Sequence, residues 1–173
     1  MEDKYLSKAK RIDNGDWLVG YVVKYGYTGK EKYYIVPSYA SDLYAIEVDP
    51  STICRSIGLK DKNGKLIWKN DIVDFLGHKG IIKFECGSFG IGYQKNIDWE
   101  ELQANIMRVT GCENILYACK NDNYISLWEI YWNFNNEDDL IDTVEAIGNI
   151  FDNPELNKRE KTYCCKDSND YER

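Results

Sequence analysis

Short runs of alternating apolar and polar residues, broken by glycine, asparagine and proline, dominate this chain and predict strands more than helices. Asp13-Asn14-Gly15-Asp16 reads as a turn, with Trp17, Val19 and Tyr21 on one face of the following segment and Leu18, Gly20 and Val22 on the other. With Ile12 ahead of the turn, this predicts a hairpin whose second strand is buried on at least one side. Gly26 and a Thr28-Gly29-Lys30 turn interrupt it. Tyr33, Tyr34, Ile35 and Val36 predict a third strand that Pro37 ends, because proline cannot donate to a ladder. Residues 44–48 (YAIEV) predict a fourth, and Asp49 stands where it can cap a short turn begun by Pro50.

The pattern is densest over residues 58–75, GLKDKNGKLIWKNDIVDF. Here two short strands flank Asn63-Gly64, the dipeptide of a type I′ hairpin turn, with Asp61, Lys62 and Lys65 expected to keep the turn wet. Leu66, Ile67 and Trp68 resume the apolar run, and Ile72, Val73 and Phe75 follow a polar break at Lys69-Asn70-Asp71. Gly77-His78-Lys79-Gly80 reads as a turn, and Ile81, Ile82 and Phe84 as a strand. Three glycines then alternate with Phe89, Ile91 and Tyr93. Such a run suggests a phosphate cradle, but it matches neither the P-loop nor the dinucleotide fingerprint, so a strand with a close backbone approach or a bulge is expected.

One helix is predicted, capped by Asp98, with Glu100 and Glu101 in its first turn, Leu102, Ile106 and Val109 at helical spacing, and Gly111 as its stop. Residues 125–134 (ISLWEIYWNF) read as a strongly aromatic strand with Trp128, Ile130, Trp132 and Phe134 on one face. That face is either core or an aromatic contact surface, since exposed tryptophan and tyrosine favour binding sites. Trp99, Trp128, Tyr131 and Trp132 are the candidate binding residues. The acidic stretch 135–142 (NNEDDLID) is either a solvated loop or helix start, or a face that mimics nucleic-acid phosphate. Residues 146–151 predict a last strand ended by Asn153-Pro154, and 157–173 form a polar tail expected to fray.

At 173 residues the chain suits one domain or two small ones. The organisation expected is a strand-rich part over 1–52, a second module over 53–156 with a divergent insertion at about 96–143, and the tail. Fourteen tyrosines favour sheet and half-wet surfaces. A net charge of −7 disfavours nonspecific nucleic-acid binding, although Lys8, Lys10 and Arg11 form a local basic run. So do Lys60, Lys62, Lys65, Lys69 and Lys79 around the hairpin. No stretch reaches the ~18 apolar residues of a membrane span, and the N-terminus lacks the apolar core of a signal peptide, so a cytoplasmic protein is expected.

In that compartment Cys54, Cys86, Cys112, Cys119, Cys164 and Cys165 are expected as thiols. No Cys-x-x-Cys pair occurs and His78 is the only histidine, so no metal site is expected. A histidine-based triad is missing, and paired acids such as Glu100-Glu101 are ordinary at helix starts. Neither catalysis nor a cofactor is expected.

Several stretches together resemble the YopX family of phage and prophage proteins. They are residues 8–21 (KAKRIDNGDWLVGY), 33–37 (YYIVP), 48–53 (VDPSTI), 58–75, 80–93 (GIIKFECGSFGIGY) and 146–156 (AIGNIFDNPEL). Asn70 stands where the family pattern has glycine, and asparagine tolerates the left-handed conformation better than other non-glycine residues. Ile57 replaces the usual threonine before Gly58. The stretch from about 96 to 143 matches poorly. The resemblance implies a phage or prophage origin and a strand-rich α+β fold, and it brings no catalytic residues. The NDIVDF-turn-GIIKF arrangement is also similar to the start of a small Src-homology-3-like barrel, expected in the second half. Such barrels generally serve as binding modules, although fold alone does not fix function. The expectation is a non-enzymatic accessory protein that binds a host protein, in one version a defence or regulatory protein that it blocks. The alternative is nucleic-acid association through the hairpin lysines. Exposed strand edges and aromatics are compatible with a homo-oligomer.

Overall fold

The computed structural model describes residues 3–39, 44–85, 87–93, 97–111, 123–134 and 140–157. Its first hairpin joins β1 (Ser7–Lys10) to β2 (Trp17–Tyr25), with Lys10 paired to Trp17 across the Asp13–Asp16 turn. β3 (Lys32–Pro37) pairs with β2, and β4 (Ile46–Glu47) with β3. Leu18, Ile35, Val48 and Ala9 point to one side and form a small core. The sheet curls around that core, so that Val48 bridges back to Arg11 and the Asp49 N–H donates to the Lys10 carbonyl at 2.8 Å. As expected, Asp49 caps a 3-10 turn, its side chain accepting from the Ser51 N–H.

β5 (Cys54–Asp61) extends this sheet by pairing antiparallel with β1, and β6 (Leu66–Trp68) pairs with β5. The turn between them differs from the expected one. Asn63 does not adopt positive φ and only Gly64 does, at 76°. The Gly64 N–H donates to Asp61 O and the Asp61 N–H to Lys65 O. This is a three-residue loop that ends in a left-handed glycine. Asp61 sets it and is not wet: it is fully buried, and one carboxylate oxygen accepts from the N–H groups of Asn63 and Lys65, both at 2.9 Å. Its other oxygen accepts from the Ala146 N–H at 3.0 Å, on another sheet.

That second sheet is antiparallel throughout, in the order β10-β9-β8-β7-β12. Its strands are β7 (Asp71–Phe75), β8 (His78–Glu85), β9 (Ser88–Gly92), β10 (Tyr124–Ser126) and β12 (Val144–Asn149). Asn70, as its tolerance for the left-handed region predicts, has φ of 70°. The turn expected at residues 77–80 lies one position earlier. Leu76 and Gly77 both have positive φ, Phe75 pairs with His78, and His78 to Gly80 belong to β8. With positive φ at both central residues, this is a primed turn. A Cβ at Gly90 would overlap the Tyr124 ring and the Ile125 carbonyl, which accounts for the glycine-rich strand as a close approach.

The closed barrel expected for the second half does not form among the described residues, where β10 and β12 are unpaired with one another. Two helices cover the apolar face instead. The expected helix is α1 (Trp99–Thr110), with Asp98 accepting from the N–H groups of Glu100 and Glu101 and Gly111 left-handed at its end. Leu102 and Ile106 are buried, whereas Val109 is exposed. The predicted aromatic strand is mostly a second helix, α2 (Leu127–Asn133), started by Ser126, whose Oγ accepts from the Trp128 N–H. Leu127, Ile130 and Phe134 face the core, and the Phe134 ring meets Phe75 edge-on at 5.4 Å. Burying one such side chain contributes about 1.5–3 kcal/mol.

β11 (Leu140–Ile141) pairs parallel with the end of β5. The outer edge of β12 meets the β5–β6 turn, through Asp61 and through the Lys62 N–H donating to Val144 O at 2.9 Å. Among the described residues no helix is long and apolar enough to cross a membrane. The expected acidic run lies largely outside the described residues, as do five of the six cysteines and nearly all of the C-terminal tail.

Candidate functional site

Helical periodicity decides what α2 shows to the outside. A strand would place Trp128, Ile130, Trp132 and Phe134 together. The helix separates them, sending Ile130 and Phe134 inward and leaving Trp128 and Trp132, four residues apart, on the outer face. The two indoles are 67% and 65% exposed and meet edge-on at 5.4 Å between centroids. Tyr131 is half-buried beside them, its ring perpendicular to Trp132 at 5.9 Å. Trp128 and Trp132 are therefore exposed, whereas Ile130 and Phe134 belong to the core.

Beside this aromatic wall lies an apolar groove of about 340 Å³. Its walls are Leu127, Trp128 and Tyr131 of α2, Ile57 and Leu59 of β5, and Ser88 and Phe89 of β9. Local structure explains why these side chains meet. β10 runs only to Ser126 before the chain turns into α2, so the helix starts directly over the open end of β9. Tyr124 fixes that end by donating its hydroxyl to the Ser88 carbonyl at 2.8 Å. On β8, Phe84 is half exposed and packs edge-on against Phe89 at 4.9 Å, extending the apolar surface past the groove. Sequence reasoning missed Ile57, Leu59, Phe84 and Phe89, which read as ordinary strand residues. Only the spatial meeting of β5, β9 and α2 marks them.

Trp99 is not part of this wall. It begins α1, packs edge-on against buried Tyr93 at 5.7 Å and donates its indole N–H to Asn123 Oδ1 at 3.3 Å, a packing role. Among the hairpin lysines, Lys62 has an acidic partner close by. Lys62 is paired with Glu145 at 2.6 Å, which holds the ammonium above and the carboxyl below their ordinary ranges. Lys60 is half-buried on β5, Lys65 and Lys69 are exposed at the two ends of β6, and Lys79 faces Asp74 across the β7–β8 hairpin.

The stretches that carry the family resemblance converge elsewhere, on a polar seam between the two sheets. Lys8 of β1 reaches Asp71 of β7 at 2.7 Å, the two side chains being 13% and 3% exposed. Asp71 also accepts from the Trp68 N–H at 2.9 Å. Burial pushes its carboxyl above the usual range, against the pull of Lys8. The Lys8 ammonium lies over the Trp17 ring at 5.2 Å and the Trp68 ring at 5.4 Å. Nearby, Asp152 pairs with Lys10 at 2.6 Å and accepts from Trp17 Nε1 at 2.6 Å and from Asn149 Nδ2 at 2.8 Å. Burial works against the Asp152 carboxylate, but these partners prevail and bring its pKa to about 2. Cys54 is buried in the same region, and burial raises its thiol to about 11, far from a reactive thiolate. Among the described residues no group of three or more His, Cys, Asp or Glu side chains could hold a metal ion.

A search of the curated proteins finds no match to this chain. Against models of known families, the family described as YopX protein matches residues 22–158, from the middle of β2 past the end of β12. The chain belongs to the YopX family.

Proposed function

We propose that this chain is a non-enzymatic binding protein of phage or prophage origin that acts in the host cytoplasm by docking a host protein on its aromatic groove. The observation that carries this reading is the outward pair Trp128 and Trp132 beside a 340 Å³ apolar groove. Tryptophan and tyrosine are enriched among the few residues that supply most binding energy, because a rigid ring covers a large area at small entropic cost. None of the groove-lining side chains carries a formal charge, and only those of Ser88, Trp128 and Tyr131 have polar atoms. The partner segment that fits is therefore one that inserts a bulky aliphatic or aromatic side chain. A narrower form of the proposal makes the partner a bacterial defence or regulatory protein that docking blocks.

Nucleic-acid association is the second reading, supported only by the exposed Lys65, Lys69 and Lys79 on a chain of net charge −7. The pairing of Lys62 with Glu145 reduces that support further.

The test is retention of a host protein from lysate by the immobilised chain, run beside the variant Trp128→Ala. The expected result is a defined protein retained by the parent chain and lost with the variant. Equal retention by both, or none by either, contradicts the groove as the docking site.

A further inference from the structure

An exposed indole stands beside the apolar groove, and we infer that a second copy of this chain occupies the groove when no other partner does. An isologous dimer needs a projecting group and a matching recess on one surface, so that each copy fills the other across a two-fold axis. Both are present here, one helical turn apart. Trp128 lines the recess, while Trp132, four residues on and 65% exposed, lies beside it. The recess, about 340 Å³, lies at the small end of the roughly 300–1,000 Å³ seen for ligand pockets, which suits one or two ring side chains.

The area available agrees. Two indoles about two-thirds exposed and a half-exposed Phe84 offer on the order of 400 Å² of apolar surface. That is about half of the ~800 Å² each partner buries in a standard interface, as expected for the dry centre of one with a polar rim.

In this dimer, Trp132 of each copy enters between α2 and β9 of the other and covers Phe89 and Trp128. The inference goes beyond the host-protein reading and stands without it. If both hold, they compete for one surface, and partner binding weakens as the chain is concentrated. Charge gives the association a sign of its own. Each copy carries −7, so the contact forms against like-charge repulsion, and added salt tightens it by screening. A contact driven by opposite charges responds the other way.

Sedimentation velocity on the purified chain, from low to several hundred micromolar and at two salt concentrations, tests this. The expected result is a monomer–dimer equilibrium that tightens with salt and weakens by about tenfold or more in Trp132→Ala. Tyr27→Ala, at an equally exposed ring on the β2–β3 turn, leaves it unchanged. Circular dichroism of each variant confirms that it is folded. A monomer at every concentration, an association indifferent to Trp132→Ala, or one that loosens with salt overturns the inference. None of these touches the host-protein reading, which is measured by retention of a different protein on dilute, immobilised chain.

Discussion

Two surfaces of this protein are rich in tryptophan, and they use it in opposite ways. In the seam between the sheets, tryptophan is tied into polar and ionic contacts. The Trp17 indole N–H meets Asp152, the Trp68 backbone N–H meets Asp71, and the two rings flank the Lys8 ammonium. On α2 the indoles of Trp128 and Trp132 touch each other, and both are about two-thirds exposed. The seam is assembled from the stretches that resemble the YopX family. The groove lies wholly within the residues that the family model matches, whereas Lys8, Lys10 and Trp17 of the seam precede them. A buried ion pair sandwiched by rings fixes how two sheets meet, and losing one member leaves the other charge stranded. An exposed ring pair adds little to folding and stays available to whatever covers it. The difference teaches that residue type alone does not mark a binding site, and that the separating feature is whether the ring is already satisfied.

Breaking the seam should have the largest effect. Asp71→Ala strands the nearly buried Lys8 ammonium and is expected to cost about 3–5 kcal/mol in urea unfolding. Burial already works against this carboxylate, so the double variant Lys8→Met/Asp71→Leu should recover much of the loss. A double variant as unstable as the single one would mean that the pair matters for more than its charge balance. Asp61→Ala comes next. It leaves the N–H groups of Asn63, Lys65 and Ala146 without their acceptor, and a loss of about 2–4 kcal/mol is expected by the same measurement.

A smaller effect is expected from acid. The Asp152 pKa of about 2 lies below the ~3.9 of an unfolded aspartate, so the native state holds this proton more weakly. Its contribution to stability is therefore complete above about pH 4 and disappears as pH falls through 2. Asp152→Asn should flatten that limb of the stability curve, and an unchanged slope between pH 5 and 2 would count against the pairing with Lys10. The smallest change in stability belongs to the groove. Trp128→Ala and Trp132→Ala should each shift unfolding by less than about 0.5 kcal/mol while impairing association.

Much of this architecture can be read from local chemistry. Asp98 and Gly111 delimit α1 because a carboxylate that accepts two free N–H groups and a residue tolerant of positive φ are local requirements. Asn70 is left-handed for the same kind of reason. α2 was obscured because its aromatic residues favour strands and alternate over residues 128–134, while Leu127, Ile130 and Phe134 also satisfy helical spacing. The signal that decides it is Ser126 with Glu129 three residues on, the sequence form of a capping box. The two hairpin turns depart from the sequence expectation in the company of distant contacts. Asp61 bonds its own turn and Ala146 together, and Leu76 in the primed turn has its carbonyl held by the Asn105 side chain at 3.2 Å. The barrel expectation failed because α1 and α2 cover the face that closure would have buried. Of the four candidate aromatics, Trp128, Tyr131 and Trp132 come together, and Trp99 is taken up by packing, which only tertiary contacts reveal.

The five tryptophans permit one direct measurement of the division between a fixed seam and an available groove. In a nitrogen-15 spectrum each indole N–H gives its own signal, and the spectrum can be followed as the chain is concentrated. The signals of Trp128 and Trp132 should shift with concentration, while those of Trp17, Trp68 and Trp99 stay in place. Movement confined to the seam tryptophans, or five signals that never move, would contradict the account.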